Sequence, residues 1–203
     1  DDGCGITDMA VLLSVAESGW SAEVIAERLP YGMGFLSALY ATDAMEIESR
    51  GFRVAFKSDE VLGFRSVPVM VHLESTEKSG TRLVLHGLKL RAHETKQAIR
   101  EFSRGFPVRV FLDGEEMPRS HAIDAADRRF VHTDVGLVSI PGLDDGNVCL
   151  RTLLYLQGFR VDERRGYYGS DERAVVVHLD PTKFVARMPD RDVLLDTEEC
   201  IKQ

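Results

Sequence analysis

Apolar positions along this chain recur first at helical and then at strand spacing. Met9, Leu12, Leu13 and Ala16 share one helical face, which predicts a helix over 7–17 with Thr7 as its cap and Gly19 beyond its end. Val24, Ile25 and Leu29 repeat the pattern more weakly over 21–29. A third helix is predicted over 35–41, and Met45 to Ser49 then alternates as a half-buried strand does. Further strands are expected over 53–56, 67–73 and 81–88, followed by a helix over 93–102. The strand over 108–112 runs into Asp113-Gly114, a two-residue hairpin turn. Strand following strand in this order implies an α+β fold, a two-layer sandwich with helices on one face of a mostly antiparallel sheet.

Composition changes after Pro118. The polar stretch 120–129 reads as a linker or exposed connection, and beyond it come a strand over 135–140 and an apolar stretch over 148–159 that fits helix or strand. A strand over 174–179 and a helix over 192–201 complete the chain. The expected organisation is a first domain over 1–118 and a smaller α/β domain over 119–203.

Charge and cysteine content narrow the function classes. A chain of 203 residues with a formal net charge of −8 argues against a dominant electrostatic attraction to nucleic acid, and the arginines over 160–165 read as a solvated loop. The three cysteines, Cys4, Cys149 and Cys200, are odd in number and widely separated, which fits a reducing compartment better than a disulfide framework. No apolar run approaches the roughly 20 residues that cross a bilayer, so the expected location is cytoplasmic.

Three glycine signals carry the chemistry. Asp1-Asp2-Gly3-Cys4-Gly5-Ile6 places a carboxylate beside glycines that permit close backbone approach to a ligand. Gly32-Met33-Gly34-Phe35-Leu36-Ser37-Ala38 opens a helix, whose free N–H groups and positive dipole end suit phosphates. Gly80-Thr81 then leads into the apolar run Leu83 to Leu85. In this order the three describe a nucleotide pocket, in which main-chain amides near 3–5 and 32–37 converge on one cavity.

The order D-x-G-x-G, G-x-G-F-x-S-A and G-T before an apolar strand resembles the GHKL superfamily, the ATP-binding fold shared by gyrase B, the ninety-kilodalton heat-shock chaperones, histidine kinases and MutL. The likeness covers about the first half of the chain and leans toward the chaperone and MutL branches. It implies ATP as ligand, with Asp1 accepting from the exocyclic amine of adenine, Thr81 reaching the base and Ile6 packing on it. Gly3 and Gly5 shape the loop, Gly32, Met33, Gly34, Phe35 and Ser37 surround the β- and γ-phosphates, and Ser18 and Gly19 belong to a lid. Asp2 departs from the asparagine usual at its position and adds negative charge near the phosphates.

In that superfamily a helix before the D-x-G-x-G loop carries the glutamate that activates water and the asparagine that holds Mg2+. The chain therefore reads as part of a larger ATPase, deficient in hydrolysis by itself, that dimerises in the intact protein. Val177-His178-Leu179-Asp180-Pro181-Thr182-Lys183 is similar to the H-P-T-K loop of the MutL branch, with Asp180 in place of its histidine. That likeness makes Lys183 the catalytic candidate, its ammonium stabilising charge on the transferring phosphate. A plain turn with an exposed lysine is the competing reading. The six histidines show no metal-ligand spacing, so no metal is assigned to side chains. The alternative function is a non-catalytic interaction module on the same scaffold.

Overall fold

In a computed structural model the chain divides into two compact units, Asp1–Arg91 and Ala92–Gln203. The structure describes residues 1–14, 19, 22, 25, 34–71, 80–126, 129–139, 151–164, 174–187 and 193–195. Over these residues the protein is α+β, with few helices and mostly antiparallel sheets.

The first unit opens with a short 3₁₀ helix, Met9–Leu13, where an α-helix over 7–17 was expected; 15–18 lie outside the described residues. Its cap is Asp8 and not Thr7: the Asp8 carboxylate accepts from the Ala10 N–H at 2.9 Å. Asp8 directly precedes the first helical residue, so its short side chain reaches the N–H two positions on, and Thr7 is out of register for that bond. The weaker helix over 21–29 falls almost entirely outside the described residues.

Helix α1 (Gly34–Ala41) buries Leu36 and Leu39, three positions apart on one face. Strand β1 (Ala44–Ser49) and strand β2 (Phe52–Lys57) form a hairpin across Arg50-Gly51, both at positive φ (47° and 81°), as a type I′ turn requires. A short helix α2 (Ser58–Leu62) follows, which the sequence pattern did not announce because five residues hold little more than one turn. Strands β3 (Val69–Val71) and β4 (Thr81–His86) complete an antiparallel sheet of order β3-β2-β1-β4.

Burial in β1 alternates strictly, with Met45, Ile47 and Ser49 inside. Met45 and Ile47 join Val54 and Phe56 of β2, Leu36 and Leu39 of α1 and Met9 in one apolar cluster. Burying such side chains contributes about 1.5–3 kcal/mol each, so this cluster fixes α1 against one face of the sheet. The other face carries Glu46 and Glu48 bridged to Arg53, with Glu46 also 2.7 Å from Arg53 and 3.0 Å from His86.

The second unit begins with helix α3 (Ala92–Ser103) and a hairpin of strands β5 (Phe111–Leu112) and β6 (Glu115–Glu116). Asp113 and Gly114 turn it at φ 54° and 85°, the geometry their sequence predicts. Strands β7 (Val131–Thr133), β8 (Gly136–Ser139), β9 (Thr152–Leu156), β10 (Phe159–Arg164) and β11 (Val175–Leu179) form a sheet of order β10-β9-β11-β8-β7. Only the β9–β11 pair is parallel among the described strands.

Three expectations change here. The ambiguous stretch over 148–159 contributes strand β9 and a Gln157-Gly158 turn, both turn residues at positive φ. Within the polar stretch 120–129, His121 and Ala122 are fully buried while Ile123, Asp124, Ala126 and Arg129 are exposed, so the connection is anchored in the core at one point and not exposed throughout. Where a helix over 192–201 was expected, Leu194 is buried and bridges Ala186 in extended conformation; the rest of that range lies outside the described residues except 193 and 195.

Candidate functional site

The N-terminal glycine loop lies against the edge of the first sheet. The main-chain nitrogen of Asp1 donates to the Thr81 carbonyl at 3.0 Å and the Thr81 N–H donates back to the Asp1 carbonyl at 3.1 Å. This reciprocal pair makes Asp1 and Thr81 directly opposed across an antiparallel edge, their Cα atoms about 5.5 Å apart and their side chains leaving the same face. Gly80 N–H adds a third bond, to the Gly3 carbonyl at 2.6 Å.

Thr81 is in turn the register partner of Ser49. Asp1, Thr81 and Ser49 therefore form a row across three neighbouring backbones on the face that β1 turns toward the apolar cluster. Ile6, the residue after the loop, is half-buried against that same cluster. Its N–H donates to Ser49 Oγ at 2.8 Å.

Two glycines make the approach possible. At Gly80, with φ +93°, a Cβ would lie 2.3 Å from the Asp1 carbonyl oxygen, a backbone atom. At Gly5, with φ +76°, it would lie 2.6 Å from Arg50 Cγ and 2.8 Å from Ser49 Oγ. Side chains at either position would hold the loop off the sheet. Gly3 is bound differently: its N–H takes the Asp1 carboxylate at 3.0 Å, which orients that exposed side chain.

The second glycine segment enters the same unit through α1. Phe35 is half-buried and packs against the apolar cluster that Ile6 also joins. Gly34 is exposed, and a Cβ there would meet nothing within 4 Å among the described residues. Ser37 is exposed and spends its hydroxyl inside the helix, donating to the Gly34 carbonyl at 2.7 Å. Gly19 is exposed, a Cβ there standing 3.5 Å from Val11. Ser18, Gly32 and Met33 lie outside the described residues.

Lys183 belongs to the second unit. It is exposed, and its Nζ donates to the Asp134 carbonyl at 2.8 Å. Asp180 shapes the loop before it by accepting from the Thr182 hydroxyl at 2.7 Å and the Thr182 N–H at 2.9 Å. Those two bonds hold the Asp180 carboxyl below the usual carboxylate range, the hydroxyl first.

Sequence reasoning missed two clusters. One is Ser49, whose signal was a polar residue in the buried phase of an alternating strand. The other lies in the second unit: His121 Nδ1 meets Tyr155 Oη at 2.7 Å, His178 Nε2 donates to the His121 carbonyl at 2.6 Å, and the Tyr155 and His178 rings stack at 5.2 Å. Burial pushes the His178 imidazole below its ordinary value, partly offset by the bond to His121. The signal there was a histidine inside the apolar strand Val175–Leu179.

Among the described residues no group of three or more His, Cys, Asp or Glu side chains could hold a metal ion, and no helix is long and apolar enough to cross a membrane. Neither a family model nor a curated protein matches this chain.

Proposed function

We propose that the first unit is the ATP-binding portion of a GHKL-type ATPase, with the helices and sheet forming the two-layer sandwich of that superfamily. The observation that carries the reading is the row Asp1, Thr81 and Ser49 at the end of the apolar face, brought together from three distant parts of the chain. Asp1 offers an exposed carboxylate, held by the Gly3 N–H, as the acceptor for the base. Ile6 supplies an apolar surface beside it, continuous with the core.

Gly34 fits the phosphate end of the same reading. Its backbone conformation does not demand a glycine and no described residue lies within 4 Å of its Cβ position, while a bare backbone at a helix start admits an anion to its N–H groups. Bound ATP with Mg2+ supplies a phosphoanhydride whose cleavage reverses a conformational change. No residue of this chain is assigned to Mg2+. Lys183 is the residue the likeness assigns to phosphate charge. In the intact protein, nucleotide binding favours a homodimer, in the cytoplasm, with hydrolysis reversing it.

A second reading, a non-catalytic interaction module on the same scaffold, is favoured by one feature. Asp2 is exposed beside the loop and adds a charge that repels phosphate. Titrating a fluorescent ATP analogue into the full gene product separates the two. Saturable binding that ATP competes away, and that Asp1→Asn weakens by about tenfold or more, supports the ATPase reading. Absence of saturable binding overturns it in favour of the module.

A further inference from the structure

Ser49 is buried and its hydroxyl has a full set of partners. The Ile6 N–H donates to it at 2.8 Å, it lies 2.8 Å from the Gly80 carbonyl, and 3.1 Å from the Thr81 hydroxyl. A hydroxyl has one proton and two lone pairs. The Gly80 carbonyl can only accept, so the Ser49 proton goes there. The Ile6 N–H fills one lone pair. The remaining lone pair is left for Thr81, whose own proton must therefore point at Ser49.

The consequence falls on Thr81. With its proton committed inward, the Thr81 hydroxyl has only lone pairs to offer a ligand, and the neighbouring Asp1 carboxylate is also an acceptor. The row thus offers acceptors alone. An amino group with two N–H bonds complements it, whereas a carbonyl oxygen in the same place meets lone pairs and leaves them unpaired.

We propose that Ser49 is a specificity-determining positioning residue, which selects a 6-amino over a 6-oxo purine by fixing the proton direction of Thr81. The inference rests on the nucleotide reading of this site and goes beyond it, since Ser49 needs no contact with the ligand. Removing its hydroxyl releases the Thr81 proton to turn outward and donate to a 6-oxo group. The preference for the amino purine then falls.

The test compares affinities for ATP and inosine triphosphate in the full gene product, two ligands that share ribose and triphosphate. Ser49→Ala is expected to reduce the ATP-to-inosine preference by about tenfold, and Ser49→Thr, which keeps the hydroxyl, to restore it. In a Thr81→Val background the rotating hydroxyl is gone, so Ser49→Ala leaves the ratio unchanged. A merely structural role would weaken both nucleotides together and leave the ratio intact in every background. If Ser49→Ala does not fold, Ser49→Cys fills the site with a slightly larger group that is a weaker acceptor and carries the same expected fall. A wild-type protein that binds neither nucleotide overturns the nucleotide reading and this inference with it. Wild-type binding of ATP with an unchanged ratio in the Ser49 variants overturns this inference alone.

Discussion

Gly80→Ala should release the N-terminal loop from the sheet. The residue sits at φ +93°, where an L side chain costs about 1–2 kcal/mol. Its Cβ would also stand 2.3 Å from the Asp1 carbonyl oxygen and 3.2 Å from Asp1 C and Asp2 Cα. All three are backbone atoms, so no rotamer change relieves the overlap and the main chain of residues 1–2 must move. Moving it breaks the paired bonds between Asp1 and Thr81 and the bond from Gly80 to Gly3. At about 0.5–1 kcal/mol each for exposed bonds, the three add to the strain for a total of about 2.5–5 kcal/mol. With a urea slope of about 1–3 kcal/mol per molar, the unfolding midpoint should fall by roughly 1 M or more. Hydrogen exchange localises the change: the Thr81 amide loses its acceptor and should exchange at least about tenfold faster, the equivalent of about 1.4 kcal/mol. A variant with the wild-type midpoint and wild-type Thr81 protection would refute the contact between loop and sheet edge.

Three further outcomes are expected. Gly34→Ala should leave the unfolding free energy within about 0.5 kcal/mol of wild type, because no described residue meets the added Cβ, yet should weaken ATP binding in titration; unchanged affinity would remove Gly34 from the phosphate end. Burial lowers the His178 pKa in the folded state, so the unfolded state takes up its proton first. The stability this contributes is complete above the ordinary value of 6.5 and is lost as pH falls from there toward the folded value. Urea unfolding of wild type and His178→Gln across this window should therefore converge on acidification; parallel curves would contradict the buried neutral imidazole. Thr182→Val should move the Asp180 carboxyl titration, followed by NMR, upward toward the usual carboxylate range, since the Thr182 hydroxyl is the first cause of its depression.

Local signals were legible wherever a single short segment carries its own periodicity or turn chemistry. Met45, Ile47 and Ser49 alternate because side chains on a strand point to opposite faces in turn, so β1 could be read directly. Asp113-Gly114 announces its hairpin because both residues tolerate positive φ. The glycine loop, Gly34 and Thr81 were likewise nameable as candidates, because glycine marks where backbone must come close or turn. Helix α2 and the Arg50-Gly51 turn were not, since neither is long enough or distinctive enough to stand out from its neighbours.

Pairing across distance had no such signal. Asp1 reaches Thr81 across a sequence separation of 80, and Ser49 reaches Gly80 across 31. Strand β11 lies parallel to β9 and antiparallel to β8, an order that alternation along one strand cannot encode. His121, in a polar stretch, is buried because Tyr155 and His178 receive it from two other elements. Each of these contacts becomes favourable only after the cost of closing the intervening chain has been met by burial elsewhere. Composition and period therefore specify which faces are apolar and where the chain turns, while the assembled core decides which polar groups meet and, at Ser49, which way a proton points.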